Sequence, residues 1–151
     1  MRLFALLLAL IFTHASAQLP TPKPKSAIGA RHPSISPSGK EIVFVYRGDI
    51  WKSNIDGKEA RPITFHLDYD GYPIFSPDGN WVAFGSKRYG NFDIFVTPSK
   101  GGTPRRLTWH SGHEIPFGWS PDGKKIAFGT KRNRPTYDIM TVDVASLRSK
   151  T

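Results

Sequence analysis

"YPIFSPDGNWVAFGSKRYGNFDIFV", residues 72–96, is the stretch whose reading decides the fold. Tyr72 to Ser76 is short and mostly apolar, as a strand would be. Pro77-Asp78-Gly79 then forces a tight turn: proline pre-sets a negative φ, the aspartate side chain caps the turn, and glycine takes the positive φ. Beyond it, Asn80 to Ser86 carries four apolar residues in a row, Trp81-Val82-Ala83-Phe84. Side chains of a strand alternate between its two faces, so this strand must be covered on both. Lys87 to Asn91 reads as a polar loop, Phe92 to Val96 as a third strand, Ser99 to Gly102 as a turn and Arg105 to Trp109 as a fourth strand.

The same phrase returns on both sides of this unit. Ser-Pro-Asp-Gly recurs at Ser120, Pro121, Asp122 and Gly123, and Ser36-Pro37-Ser38-Gly39 differs from it by one residue. Around the first copy lie Ile42 to Val45, Asp49 to Trp51 and Arg61 to Thr64, and around the third lie Phe117 to Ser120, Ile126 to Gly129 and Tyr137 to Met140. The third unit ends before a fourth strand. Four antiparallel strands per unit, with every central strand sandwiched, describe the blade of a β-propeller. The expected fold is therefore all-β, with two complete blades and a partial third, repeating at about residues 31–66, 70–110 and 114–151. Propeller rings close with roughly four to eight blades, so three leave the ring incomplete.

Two segments precede the first blade. Arg2 leads into an apolar run from Leu3 to Phe12 that ends at Ala15-Ser16-Ala17, which has the form of a secretory signal over residues 1–17, cleaved between Ala17 and Gln18. Residues 18–30 carry Pro20, Pro22 and Pro24 and read as an extended linker. The protein is thus expected to be exported, periplasmic or extracellular, touching a membrane only through its signal. Cysteine is absent, which excludes disulfides, thiolate metal sites and a cysteine nucleophile. The formal charge of +9 is scattered in pairs at turns, such as Lys87-Arg88 and Lys131-Arg132, which suits solubility better than a nucleic-acid groove.

Residues 72–96 with "GGTPRRLT" at 101–108 resemble the Ser-Pro-Asp-Gly propeller repeat of the Tricorn and TolB group. "HPSISPSGKEIVFVYRGDIW" at 32–51 and "YDGYPIFSPDG" at 69–79 are similar to the opening of exported Tricorn-like serine peptidases. The resemblance implies a non-catalytic propeller segment that binds or gates peptide or protein substrates for a catalytic domain elsewhere. Two alternatives stay open: a cell-envelope scaffold propeller like TolB, or the propeller of a prolyl-oligopeptidase-like hydrolase. TolB-type proteins place an α/β domain before the propeller, where this sequence has a short linker. No catalytic residue transfers to this sequence, so this chain alone is not expected to be an enzyme, and no cofactor is implied.

Candidate chemistry competes throughout with the repeat. Gly118-Trp119-Ser120 approaches a nucleophile elbow, but Asp122 stands where that motif needs glycine. Ser120 also matches Ser36 and Ser76, the serines of the turns. His110, His113 and Glu114 lie within five residues, yet their spacing is not a metalloprotease motif and His110 matches His66 in the preceding unit. Asp49, Asp93 and Asp138 each open a third strand, where such a carboxylate is expected to accept backbone N–H bonds. Tyr69, Tyr89, Trp109, His113 and Glu114 are the candidate binding residues, for a peptide or protein ligand; Tyr72 is either a binding or a core residue. The uncovered faces of the end blades also predict self-association.

Overall fold

The computed structural model describes residues 29–132 and 135–144. The signal sequence, nearly all of the linker and the tail of the third unit lie outside the described residues. Among the described residues eleven strands form three antiparallel sheets and follow the expected order. Blade 1 contains β1 (Arg31–Ile35), β2 (Glu41–Tyr46), β3 (Asp49–Asn54) and β4 (Arg61–Pro62). Blade 2 contains β5 (Asp70–Phe75), β6 (Trp81–Ser86), β7 (Asp93–Pro98) and β8 (Arg105–Arg106). Blade 3 contributes β9 (Glu114–Trp119), β10 (Lys125–Thr130) and β11 (Asp138–Asp143).

The turns work as their residues require. Ser76 donates its hydroxyl to Asp78 and accepts from the Trp81 N–H at 3.0 Å, while Asp78 Oδ1 accepts from the Asn80 N–H at 3.0 Å. Ser120 repeats the set with Asp122 at 2.6 Å and the Lys125 N–H at 2.9 Å. Gly79 sits at φ 71°, a conformation that a Cβ would strain. The three serines are therefore occupied in closing hairpins.

The outermost strands are shorter than their sequences suggest. The sequence predicts pairing from Arg105 to Trp109, but the regular ladder covers only Arg105 and Arg106; the Leu107 N–H still reaches the Ile94 carbonyl at 2.7 Å, and the Thr108 hydroxyl then takes the Ile94 N–H at 2.9 Å. Thr64 does the same to Ile50 at 2.9 Å in blade 1. A side-chain oxygen here replaces a backbone carbonyl and turns the chain away toward the next blade.

Successive blades stack face to face. Val43, Val45, Ile50 and Ile63 of blade 1 meet Phe75, Val82, Phe84 and Phe95 of blade 2. On the other side of that sheet, Ala83, Ile94, Val96 and Leu107 meet Ile126 and Phe128 of blade 3. The apolar run in β6 thus feeds two separate cores, with Val82 and Phe84 turned one way and Ala83 the other. Polar links repeat at the same places. Arg61 Nη1 donates to the Lys100 carbonyl at 3.2 Å, and Arg105 Nη2 to the Val144 carbonyl at 2.7 Å. The Asp70 N–H bonds the Gly48 carbonyl, and the Glu114 N–H the Phe92 carbonyl, both at 2.8 Å. No described residues form a helix long and apolar enough to cross a membrane.

Candidate functional site

The backbone links just described fix a common direction for the blades. The starts of β1, β5 and β9 lie at one end, together with the loops that follow β2, β6 and β10, and the Ser-Pro-Asp-Gly turns lie at the other. The loop end gathers most of the chain's unusual chemistry, in two layers.

The lower layer is buried and ionic. Asp70 and Glu114, which open their blades' first strands, are fully buried. Both Asp70 oxygens accept from Arg88 Nη2, at 3.2 and 3.0 Å, and Arg88 Nε donates to Ser86 Oγ at 2.8 Å. Glu114 Oε1 accepts from Arg132 Nε at 2.7 Å and from Thr130 Oγ1 at 3.4 Å. Carboxylate, hydroxyl and arginine recur together 44 residues apart, as 70-86-88 and 114-130-132. Asp93 is also fully buried and departs from the expected role at its position. Its Oδ2 accepts from Arg106 Nη2 at 2.7 Å, whereas Asp49 in blade 1 accepts from the His66 N–H at 3.0 Å. Asp93 Oδ1 and Glu114 Oε2 are buried without a hydrogen-bond partner. Burial pushes the Asp93 carboxyl above its ordinary 3.8, overriding Arg106, and the neighbouring Glu114 charge pushes the same way.

The upper layer is aromatic. His32 and Tyr72, at matching places in β1 and β5, are held at φ 50° and 57° where each first strand shifts register against its partner. A bulky residue in this left-handed region is strained by roughly 1–3 kcal/mol. The conformation brings the two rings into a stack with centroids 4.3 Å apart. Tyr72 then meets Phe92 edge-on at 5.6 Å, and Phe92 meets His113 at 5.8 Å, so a line of rings runs from blade 1 to blade 3. Tyr69 joins from the side, edge-on to Phe92 at 6.1 Å. Its ring lies across Gly71, where a Cβ would come within 2.6 Å. Burial raises the Tyr69 phenol above its ordinary value of 10.0, Tyr72 adds to this, and Arg31 opposes it.

The candidates named from sequence thus separate. Tyr69 and His113 belong to the ring line, and Tyr72 is a half-buried member of it. Tyr89 and Trp109 form a second group, both exposed, sharing the Arg106 guanidinium at 4.1 and 5.8 Å from their ring centroids. Glu114 lies in the buried ionic layer. His66 and His110 each accept an N–H two residues on, at 3.0 and 2.9 Å, as hydrogen-bonding residues of the repeat. No group of three or more His, Asp or Glu able to hold a metal occurs among the described residues. Sequence reasoning missed the ionic layer. The available signal was Ser/Thr-Lys-Arg at 86–88 and 130–132, each sixteen residues after a carboxylate.

The blade packing and the repeated turns place the molecule among known propellers. Residues 30–150 match the family described as the Tricorn protease N-terminal beta propeller domain. The chain belongs to that family. It is 35% identical over 66 residues to Tricorn protease homolog 1 of Streptomyces coelicolor, covering 44% of this chain and 6% of that protein. Among solved structures, the putative TolB from Agrobacterium tumefaciens superposes with a TM-score of 0.68 at 23% identity, over 80% of this chain and 47% of that one. The tricorn protease crystal structure superposes with a TM-score of 0.60 at 25% identity, over 70% of this chain and 11% of that one. The chain therefore spans a small part of the Tricorn relatives that it matches.

Proposed function

We propose that this chain is a recognition segment of an exported Tricorn-like peptidase, and that it binds peptide or protein through its loop end. The line of rings from His32 to His113 carries the reading. Two consecutive blades hold non-glycine residues in a strained backbone at the same place, and both expend that strain on presenting a ring. Strain of this kind clusters at ligand-binding positions. The propeller supplies the rigid frame on which such loops work. Export rests on the form of residues 1–17. Peptide-bond chemistry is left to another part of a longer protein, because Ser36, Ser76 and Ser120 all serve turns.

The test uses a substitution that the backbone favours. Tyr72→Gly keeps φ 57° without a Cβ and deletes the ring. Binding of short fluorescent peptides, followed by anisotropy, should weaken in this variant while the thermal midpoint is kept or raised. Unchanged binding in Tyr72→Gly and in His32→Gly would remove the loop end as the recognition surface.

A further inference from the structure

Arg47, Lys87 and Lys131 occupy the same place in three consecutive blades: each is the first residue after its blade's second strand. None is ion-paired among the described residues, although the arginine next to Lys87 and the one next to Lys131 each pair with a buried carboxylate. Instead each cation lies over a ring: Arg47 over Tyr46 at 5.4 Å, Lys87 over Phe92 at 4.9 Å and Lys131 over Tyr137 at 4.8 Å. Ring faces attract cations without neutralising them, so three full charges stay available to solvent. Arg31, exposed and also without an ion pair among the described residues, adds a fourth beside Tyr69.

The carboxylates at this end are withdrawn. Asp70, Asp93 and Glu114 are buried and matched by arginines, and Asp49 and Asp138 are half-buried. Asp68 is the exposed carboxylate there among the described residues, and it lies 3.6 Å from His66 Nδ1. The opposite end differs, because its loops and turns expose Asp56, Glu59, Asp78 and Asp122 alongside Lys40, Lys58, Lys100 and Lys124. Charge open to solvent at the loop end is therefore nearly all positive, in an arc bordered by the ring line, whereas at the turn end the two signs are mixed.

From this we infer that the ligand of the loop end is an acidic peptide segment, whose carboxylates pair with Arg47, Lys87 and Lys131 while its apolar groups lie against His113 and the exposed part of Tyr72. The inference rests on the recognition reading above and adds the ligand's chemical class. Nucleic acid fits less well. Single-stranded binding needs open ring faces for bases to stack on, and here the rings face one another or a lysine.

The experiment compares three labelled peptides of one apolar-spaced sequence whose variable positions are all Glu, all Gln or all Lys, together with an oligothymidine. The Glu peptide should bind most tightly and weaken with added salt. Replacing Arg47, Lys87 and Lys131 together by Gln should weaken it about tenfold, as three exposed pairs each worth a factor of about two would give. The same exchange at Lys40, Lys100 and Lys124 removes equal charge from the other end and should leave binding within about twofold. Equal binding of Glu and Gln peptides, or equal losses from the two triple variants, overturns the acidic class and leaves peptide recognition standing. Tighter binding of oligothymidine than of the Glu peptide overturns it too. Failure of every peptide to bind overturns both readings.

Discussion

Ile94 and Ile139 hold the same place in consecutive blades, the second residue of the third strand, yet one is 0% exposed and the other 75%. Ile94 faces blade 3, whereas Ile139 faces the side of blade 3 on which no further blade is described. The other end of the arc shows the same contrast: Phe75 is 8% exposed beneath blade 1, and its counterpart Ile35 in blade 1 is 59% exposed. A blade's amino acids thus specify two half-interfaces, and the hydrophobic gain comes only when a neighbour completes them. Stability in this molecule belongs to junctions rather than to sheets.

Truncating the two isoleucines should separate the covered face from the open one. Ile94→Ala should cost about 2–5 kcal/mol in urea unfolding, the range for a buried large-to-small change. Ile139→Ala should stay within about 0.5 kcal/mol, as at a surface position. Equal losses would mean that blade 3 has a cover and that its outer face is not free. In sedimentation the protein should self-associate with rising concentration, and Ile139→Asp should suppress this without lowering the thermal midpoint.

Next in size is the ionic layer. Arg88→Gln strips the buried Asp70 of its charged partner and should destabilise by roughly 3 kcal/mol, as breaking a buried pair does. A loss as small as that of a surface ion pair would show that water reaches Asp70.

The smallest effect is in pH dependence, and its sign differs between the two ends of a blade. Asp93 has its pKa raised by burial, so its contribution is fully present below the ordinary 3.8 and is lost as pH rises through the raised value. Asp78 and Asp122 have theirs lowered, first by the serine hydroxyls and then by backbone N–H groups. Their contribution is present above 3.8 and is lost as pH falls through the lowered values. Asp93→Asn should therefore flatten the stability profile just above 3.8, and Asp78→Asn should flatten it below; the reverse assignment in urea titrations across that range would refute the contrast.

How much of this could be read from residues alone follows from what each feature depends on. The turns were legible because Pro-Asp-Gly acts through local backbone preferences, and the sandwiching of β6 because Trp81-Val82-Ala83-Phe84 leaves no polar face. The end of the fourth strands was not, because Thr108 and Thr64 compete with the ladder through a side chain fourteen residues away. Lys87-Arg88 read as a solvated pair, but the fold sends the lysine over a ring and the arginine into a buried carboxylate. Nothing local distinguishes them. Tyr72, open between core and surface in the sequence, takes a left-handed backbone that only the bulge beside it explains. Glu114, a binding candidate beside His113 in the sequence, opens a strand whose first residue is covered by the preceding blade.

A Cβ on Gly79 would lie 3.6 Å from the Pro37 ring, and one on Gly123 would lie 3.9 Å from the Pro77 ring, so each turn rests on the one before it. The units nevertheless differ by four residues, 40 against 44 between successive serines, and the difference falls in the loop after the second strand, two residues in blade 1 and six in blade 2. One end of each blade keeps the pitch of the stack while the other can lengthen without disturbing it. Segments inserted between Lys87 and Phe92 should change what the molecule touches and leave how its blades assemble untouched.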